Sequence, residues 1–305
     1  MDTLRRAWDD MTPQLPFTKG NGAGNDFLVL HDPDDRAALT PAAISHLCDR
    51  RTGIGADGIL RAVLCDRSPE ALRYAGRATW FMDYRNADGS LGEMCGNGIR
   101  VLARHLTHHR HIPPGRLTLA TRAGLRTVDI ADTAPAGEVS VHMGRPRFAP
   151  DEEALTVSVG RRSWPALYVD AGNPHAVAFV DDLDHAGSLV SPPAVTPSPP
   201  QGVTVEFVRV LAPGHLALRV HERGVGETPA CGTGACAAVA AAHRTGVRPP
   251  DGMYRVDAPG GTLHIRVAPD GTHTLTGPAV LTVDGFLTAS PLYATAVAAR
   301  SGAEG

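Results

Sequence analysis

The chain has 305 residues, of which 43% are hydrophobic and 20% charged, a composition typical of a globular protein with enough residues for two hydrophobic cores. Its formal net charge of −3, with no long basic run, argues against a nucleic acid or an anionic membrane surface as partner. There is no apolar segment of signal-peptide or membrane-spanning length, and five cysteines in a chain of this size fit a reducing compartment. We therefore expect a cytoplasmic protein of two domains that acts on a small molecule.

Short β-rich stretches between Gly-rich turns predict many short strands, at residues 27–30, 78–82, 139–141 and 216–220. Residues 99–106 predict a helix, because their apolar positions follow the spacing of one buried face. The alanine-rich run 235–246 predicts a second helix, which ends on a glycine suited to a C-cap. The proline-rich segment 191–200 predicts a surface loop that is neither helix nor central strand. A domain boundary is expected near residues 145–150, where Gly and Pro interrupt the strand pattern.

A cysteine followed by Gly-x-Gly precedes each predicted helix: Cys95 begins CGNG and Cys231 begins CGTG. The free N–H groups and the dipole at a helix N-terminus favour an anion, so we expect each thiol pKa to lie below its free value of about 8.5. The glycines also let backbone amides approach a ligand carboxylate closely. A thiolate and a thiol on opposite faces of one carbon could remove a proton from one face and deliver one to the other.

The cysteines admit other interpretations. Neither segment has Cys-x-x-Cys or Cys-x-x-His spacing, which disfavours a zinc site. A structural disulfide is disfavoured in a reducing compartment, whereas a reversible one between facing thiols stays open. Cys48, Cys65 and Cys236 lack the glycine framing, and we expect them to be structural.

Four histidines lie at or just beyond the end of the first predicted helix: His105, His108, His109 and His111. Histidines at helical spacing can bind a metal. No carboxylate or cysteine accompanies these four in the sequence, and cationic groups suit the C-terminal end of a helix dipole. We therefore expect a solvated helix end.

Seven motifs make the chain resemble the diaminopimelate epimerase family of cofactor-independent amino-acid epimerases. In family order they are residues 24–27, 53–58, 86–90, 93–100, 172–177, 222–228 and 230–237. The resemblance covers about residues 17–290 and implies an α+β fold of two pseudo-symmetric domains, each a mostly antiparallel sheet curled around a central helix. The first domain would comprise residues 1–145 and a return strand at about 281–292, and the second would comprise residues 146–280.

The resemblance also implies an isomerase that acts as a homodimer and needs neither pyridoxal phosphate nor a metal. It would convert LL-diaminopimelate to the meso form for lysine and cell-wall precursor synthesis, with the small-molecule substrate as its ligand. Cys95 and Cys231 would be the acid–base pair. The remaining substrate-binding residues would be Asn25, Asn86, Gly96, Asn97, Asn173, His175, Thr204, Glu222, Arg223, Gly232 and Thr233.

Two departures from the family pattern bear on the substrate. The first motif lacks its usual histidine, since residues 21–27 read NGAGNDF. The family's Asn-Val-Glu-Phe strand, whose Asn helps to hold the distal end of diaminopimelate, begins here with Thr204. The alternatives are therefore a paralogous racemase or epimerase for another amino acid and a non-catalytic amino-acid-binding protein. The paired cysteines argue against the last.

Overall fold

The structure, a computed structural model, describes residues 15–37, 39–148 and 155–287. Within these ranges the chain is mostly sheet with few helices. The helices are α1 (Pro41–Cys48), α2 (Gly96–His108) and α3 (Gly232–Arg244), together with two short 3₁₀ turns at Leu72–Tyr74 and Leu183–Ala186. None of these described helices combines the length and the apolar character that crossing a bilayer requires.

Eight strands form a closed ring around α2. They are β1 (Leu15–Gly22), β2 (Asn25–His31), β3 (Gly58–Leu64), β4 (Trp80–Asn86), β5 (Gly115–Thr121), β6 (Gly124–Ile130), β7 (Ala136–Gly144) and the last described strand, β18 (His273–Leu287). Each strand pairs with the next, and β18 closes the ring by pairing with both β7 and β1. The β2–β3 and β4–β5 pairings are parallel, and the others are antiparallel.

The apolar face of α2 fills this ring. Ile99, Leu102 and Leu106 are fully buried, in the cluster that also contains Phe27 of β2 and Val141 of β7. The sequence prediction of a helix with one apolar face at 99–106 is confirmed, and the helix begins three residues earlier, at Gly96. Burial of this stripe, at about 25 cal/mol per Å² of apolar surface, stabilises the helix far more than its own propensity does.

The remaining strands continue the same hydrogen-bonded sheet, and several of them pack against α3. They are β8 (Arg147–Phe148), β9 (Leu155–Val159), β10 (Arg162–Asp170), β11 (Pro174–Phe179), β12 (Ala194–Thr196), β13 (Thr204–Ala212), β14 (His215–Glu222), β15 (Gly226–Thr228), β16 (Met253–Ala258) and β17 (Gly261–Val267). The main path runs from β10 through β11, β13, β14, β16 and β17 to β18. Its β11–β13 and β14–β16 pairings are parallel. The small side chains of α3 let it lie close to these strands, since Ala237, Ala238 and Ala241 are fully buried.

The first residues of α2 and α3 meet backbone to backbone. A Cβ built on Gly96 would lie 3.4 Å from the Cα of Gly232, and one built on Gly232 would lie 3.3 Å from the Cα of Gly96. Glycine at both positions lets the two helix starts approach this closely, because no side chain stands between them. The contact therefore brings Cys95 and Cys231, each one residue earlier, to the same region of the molecule.

The predicted strands at 27–30, 78–82, 139–141 and 216–220 fall largely within β2, β4, β7 and β14, and the glycine that ends α3, Gly246, has a positive φ of 93°. The prediction for the proline-rich segment needs a correction, because residues 194–196 form β12, which pairs antiparallel with β9. A three-residue strand at a sheet edge leaves room for the flanking prolines. Residues 149–150 of the expected boundary and 288–292 of the expected return strand lie outside the described residues.

Candidate active site

Each of the paired cysteines is the N-cap of a helix. Cys95 precedes α2 with extended backbone dihedral angles, and its Sγ accepts a hydrogen bond from the backbone N–H of Gly98 at 3.3 Å. Cys231 precedes α3 in the same way, and its Sγ accepts from the N–H of Gly234 at 3.3 Å. The thiols thus occupy the place that Ser, Thr, Asp or Asn normally takes at a helix start. Two equivalent sulfur sites therefore lie where the two helices meet.

The expectation that the helix N-termini lower both thiol pKa values is wrong for this structure. Burial raises the pKa of Cys95 to about 11, and the N–H of Gly98 offsets only part of that increase. Burial also raises the pKa of Cys231 well above its usual value, and the charges of Glu222 and Glu206 add to the effect. Desolvation therefore outweighs the capping hydrogen bonds, and both thiols are neutral at pH 7.

Asn25, Asn97 and Asp57 form a polar network beside Cys95. The Nδ2 of Asn25 donates to Asp57 Oδ2 at 2.7 Å, and its Oδ1 accepts from the Cys95 thiol at 3.8 Å. The Nδ2 of Asn97 donates to the carbonyl oxygen of Ala230 at 2.8 Å, which links the start of α2 to the residue before Cys231. The Asn97 side chain therefore links the two halves of the site. The backbone of Gly96 and Asn97 forms the first residues of α2, directly after Cys95.

A buried hydrogen-bonded chain lies near Cys231. His175 is fully buried and joins Glu206 and Asn173, with 2.7 Å from its Nδ1 to Glu206 Oε1 and 3.0 Å from its Nε2 to Asn173 Oδ1. The second carboxylate oxygen of Glu206 is buried without a hydrogen-bond partner among the described residues. Burial raises the pKa of Glu206, which favours its neutral form.

Glu206 also contacts the start of α3, because a Cβ built on Gly234 would lie 2.5 Å from Glu206 Oε1. The amide that caps Cys231 belongs to this same glycine. Glu206 was not among the residues that the sequence selected. Its only signal was its place two residues after Thr204 in the strand motif.

Thr204, Glu222 and Arg223 come together at the ends of neighbouring strands. Thr204 is 3% exposed and lies beside His175 in the parallel pairing of β13 with β11. Its Oγ1 accepts from the backbone N–H of Arg223 at 3.3 Å. Burial raises the pKa of Glu222, whose carboxylate accepts a hydrogen bond from the Thr228 hydroxyl. The Arg223 guanidinium is exposed and donates to the carbonyl oxygen of Gln201.

Asn86 lies apart from the paired thiols, whereas Thr233 contacts one of them. Asn86, at the end of β4, donates from Nδ2 to Ser90 Oγ at 2.9 Å in a turn, and no described contact joins it to either thiol. Thr233 lies in the first turn of α3, where its Oγ1 is 3.3 Å from Cys231 Sγ. Gly232 precedes it at the helix contact.

The structure adds Tyr84 and Arg100 to the site. Burial raises the pKa of the Tyr84 phenol, and the nearby charges of Cys95 and Glu222 add to the increase. Arg100 is fully buried in α2 and donates to the carbonyl oxygen of Gly96 and to Asn97 Oδ1, both at 3.0 Å. Burial lowers the pKa of Arg100 to about 10, and its positive charge favours a thiolate at Cys95. Arg100 lay within a motif of the resemblance, whereas nothing in the sequence marked Tyr84.

Two further groups of residues make no described hydrogen bond to Cys95 or Cys231. Cys48, Cys65 and Cys236 are buried, and burial raises the pKa of each thiol. The expected solvated helix end at the histidines is wrong for His105, which is 3% exposed, and for its surroundings, because His31 of β2 joins the group.

Comparison with known proteins gives a family match over most of the chain. The family model described as "Diaminopimelate epimerase" matches residues 17–149 and 167–282. A diaminopimelate epimerase of Streptomyces coelicolor is 52% identical over 282 residues, which cover 90% of this chain and 96% of the relative. The enzyme of the same name from Mycolicibacterium smegmatis is 42% identical over 291 residues, covering 89% of this chain and 96% of the relative.

Solved structures share the fold at low sequence identity. A hydroxyproline epimerase from Agrobacterium vitis superposes with a TM-score of 0.62 at 15% identity, covering 90% of this chain and 91% of that one. A phenazine biosynthesis protein of the PhzF family from Bacillus anthracis has a TM-score of 0.62 at 14% identity, covering 91% of this chain and 100% of that one.

Proposed function

The chain belongs to the diaminopimelate epimerase family, and we propose that it is an isomerase that interconverts LL- and meso-diaminopimelate by inverting one α-carbon. The observation that carries the proposal is the pair of thiols that cap two helices whose first residues touch. Relatives that bear this name support diaminopimelate as the substrate.

The mechanism uses the two thiols in opposite protonation states. One cysteine loses its proton to solvent, and the resulting thiolate takes the α-proton of the bound amino acid. The other cysteine, still a thiol, donates its proton to the opposite face of the carbanion. The product leaves an enzyme with the two roles exchanged, which is the form that catalyses the reverse reaction. The reaction therefore balances without an electron donor or a second substrate.

The helix starts supply the stabilisation that this chemistry needs. An α-proton is much less acidic than a thiol, so the developing carbanion and its adjacent carboxylate must be held by fixed dipoles. Backbone N–H groups of Gly96, Asn97, Gly232 and Thr233 lie at two helix N-termini, which are suited to a carboxylate. A buried thiol of raised pKa is also a stronger base once it has ionised, which favours removal of a weakly acidic proton.

The remaining polar residues would position the substrate. We propose that Asn25 acts beside Cys95, and that Asn173, His175 and Glu222 act near Cys231. Their supporting contacts differ, because Asn25 reaches the Cys95 thiol directly whereas His175 is held between Asn173 and Glu206. Asn86 and Arg223 would contact the substrate at the edge of the site. In the structure the Asn86 side chain donates to Ser90, and the Arg223 side chain donates to the carbonyl oxygen of Gln201.

The presence of threonine at position 204 favours the alternative, which is a paralogue with another amino-acid substrate. Its hydroxyl accepts from the backbone of Arg223, and a threonine offers fewer hydrogen-bond roles to a distal ammonium or carboxylate than an asparagine.

The test is α-proton exchange by purified protein in deuterium oxide with LL-diaminopimelate, meso-diaminopimelate and a panel of other amino acids. Deuterium incorporation with inversion for diaminopimelate alone is the expected result. Turnover of a different amino acid in preference would establish the paralogue, and no exchange with any of them would leave only an amino-acid-binding protein.

We further propose that the chain is a duplication of one unit, with residues 1–145 and the return strand as the first domain and 146–280 as the second. The strand pairings support this. In the first half β2–β3 is parallel, β3–β4 antiparallel and β4–β5 parallel, with Cys95 after β4. In the second half β11–β13 is parallel, β13–β14 antiparallel and β14–β16 parallel, with Cys231 after β14. Expression of either unit alone, with its folding followed by circular dichroism, tests the boundary.

We also propose that the enzyme is a cytoplasmic homodimer that works without a cofactor or a catalytic metal. The support for the dimer is an exposed apolar pair near the end of β18, where Val283 is 56% and Phe286 is 64% exposed. Light scattering of the purified protein would show a dimer mass. Activity should survive dialysis against a chelator, and loss that only a metal restores would contradict this part of the proposal.

A further inference from the structure

A cluster of imidazoles lies at the C-terminal end of α2, at the opposite end of the helix from Cys95. It is built from His31 at the end of β2, His105 in α2 and His111 in the following loop. One ring nitrogen from each of the three lies within 4.8 Å of the others. The indole of Trp80 closes one side, with its ring centroid 5.4 Å from that of His31 and 6.0 Å from that of His111. Three segments distant in sequence thus converge on one point.

His105 presents a lone pair to this cluster. The Thr18 hydroxyl donates to Asp284 Oδ1 at 2.6 Å, so its oxygen is left to accept from His105 Nδ1, 3.0 Å away. His105 therefore carries its proton on Nδ1 and a free lone pair on Nε2. That Nε2 is buried and has no hydrogen-bond partner among the described residues, in a side chain that is 3% exposed. A buried polar nitrogen without a partner is costly, and a carboxylate–hydroxyl–imidazole chain is typical of the outer shell of a metal ligand.

His31 also carries a buried ring nitrogen. Its Nδ1 is buried and also lacks a hydrogen-bond partner among the described residues. Two of the three imidazoles therefore carry a buried nitrogen that lacks a partner among the described residues, and a bound cation would remove that cost.

We propose that His31, His105 and His111 bind one divalent transition-metal ion of the zinc class. The donors are three imidazoles with no carboxylate among them, which favours Zn²⁺, Cu²⁺ or Ni²⁺ over Ca²⁺ or Mg²⁺. Zinc–nitrogen bonds of about 2.0–2.1 Å place the donors of a tetrahedral ion roughly 3.4 Å apart, so the ring nitrogens must draw together by up to about 1.4 Å. His111 supplies that movement by turning out of its stack on His31, where the ring centroids lie 3.8 Å apart, because it is exposed in a loop and its side chain has no hydrogen bond among the described residues.

The role of this ion is structural. His105 follows Cys95 by ten positions, so the metal lies about 15 Å along the helix from the thiol, at 1.5 Å per residue. The ion would join the far end of α2 to β2 and to the next loop, and it would not touch the substrate. His109 completes the surroundings, since its Nε2 lies 3.3 Å from both Thr18 Oγ1 and Asp284 Oδ1. The site is independent of the proposed reaction.

The experiment is titration calorimetry with Zn²⁺ on protein that carries no polyhistidine tag and has been freed of metal with a chelator. The variant is His111→Ala, because an exposed loop residue can be replaced without disturbing the core. The matched control is His108→Ala, on the same helix end, where the imidazole contacts the Thr133 carbonyl instead of the cluster. We expect one Zn²⁺ per chain in the wild type and in the control. In His111→Ala the affinity should fall by at least about 10- to 100-fold, the range seen when even a supporting residue of a metal site is lost.

The thiols are the competing site for zinc, and cobalt separates the two. Co²⁺ held by imidazoles lacks the intense thiolate-to-metal absorption that Co²⁺ held by cysteines shows. Equal affinity in His111→Ala and the wild type, equal weakening in both variants, no stoichiometric binding, or a bound Co²⁺ with the thiolate band would each overturn the proposal. Circular dichroism of both variants confirms that they are folded.

Discussion

Replacing each paired cysteine by serine separates its chemical role from its structural one. Each Sγ caps a helix by accepting one backbone N–H at 3.3 Å, and serine is among the preferred N-cap residues. The Cys95→Ser and Cys231→Ser variants should therefore fold, with free energies of unfolding within about 1 kcal/mol of the wild type. Denaturant titration measures this directly.

The chemistry should fail in both variants. A serine hydroxyl is far less acidic than a thiol, so it neither takes the α-proton as an alkoxide nor donates a proton readily. Loss of one general acid–base group typically costs a factor of about 10² to 10⁴, and we expect epimerisation by each variant to fall by at least about 10³. The matched control is Cys48→Ala, since Cys48 is buried in α1 and contacts neither helix start. It should keep most of the activity.

Isotope exchange gives a sharper result than turnover. With one thiol left, the enzyme can still remove and return a proton on the face that this thiol occupies. Each variant should therefore exchange the α-proton of only one stereoisomer, without inversion, and the two variants should exchange opposite stereoisomers in deuterium oxide. If either variant epimerised at a near-normal rate, or if both exchanged the same stereoisomer, the two-base mechanism would be wrong.

Three further predictions concern the same site. Because burial raises the pKa of Cys95 to about 11, kcat/KM should still be rising with pH at about pH 9.5. Iodoacetamide should modify Cys95 before Cys231. A plateau of kcat/KM near the ordinary thiol pKa would contradict this prediction. Oxidation should inactivate the enzyme reversibly through a Cys95–Cys231 disulfide, and peptide mapping that finds no such bond in inactive protein would count against adjacent thiols. Thr204→Asn keeps an acceptor for the Arg223 N–H and adds a donor, so kcat/KM for LL-diaminopimelate should stay unchanged or rise by up to about one to two orders of magnitude; a clear loss would indicate a different native substrate.

Local patterns were enough to predict the two helices and the cysteines that begin them. The apolar spacing of 99–106 and the alanine run of 235–246 correspond to α2 and α3, because each helix has one strongly determined environment. The Gly-x-Gly framing was informative for a similar reason, since a Cβ on Gly232 would lie only 3.3 Å from the Cα of Gly96, which is closer than most Cβ contacts. These are consequences of short-range geometry, which a sequence displays directly.

Contacts between distant segments could not be predicted in this way. His31 lies 74 positions before His105, and only the packing of β2 against α2 brings the two rings together. Glu206 reaches His175 because β13 runs parallel to β11, a pairing that no local pattern specifies. The solvated helix end predicted for the histidines was wrong because the sequence does not reveal what else faces a helix.

The wrong prediction for the thiol pKa values is more instructive, because it considered the helix N-termini but not the burial of the thiols. The capping amides do stabilise a thiolate at Cys95, but the desolvation that the surrounding strands impose is larger. The charges that act on the thiol pKa also differ between the two equivalent cysteines. Glu222 disfavours a thiolate at both cysteines, but Cys95 also lies near the positive charge of Arg100, whereas Cys231 also lies near the carboxyl group of Glu206. We therefore expect the thiolate of the free enzyme to form first at Cys95, so that a site built from two matched halves begins its reaction from one of them.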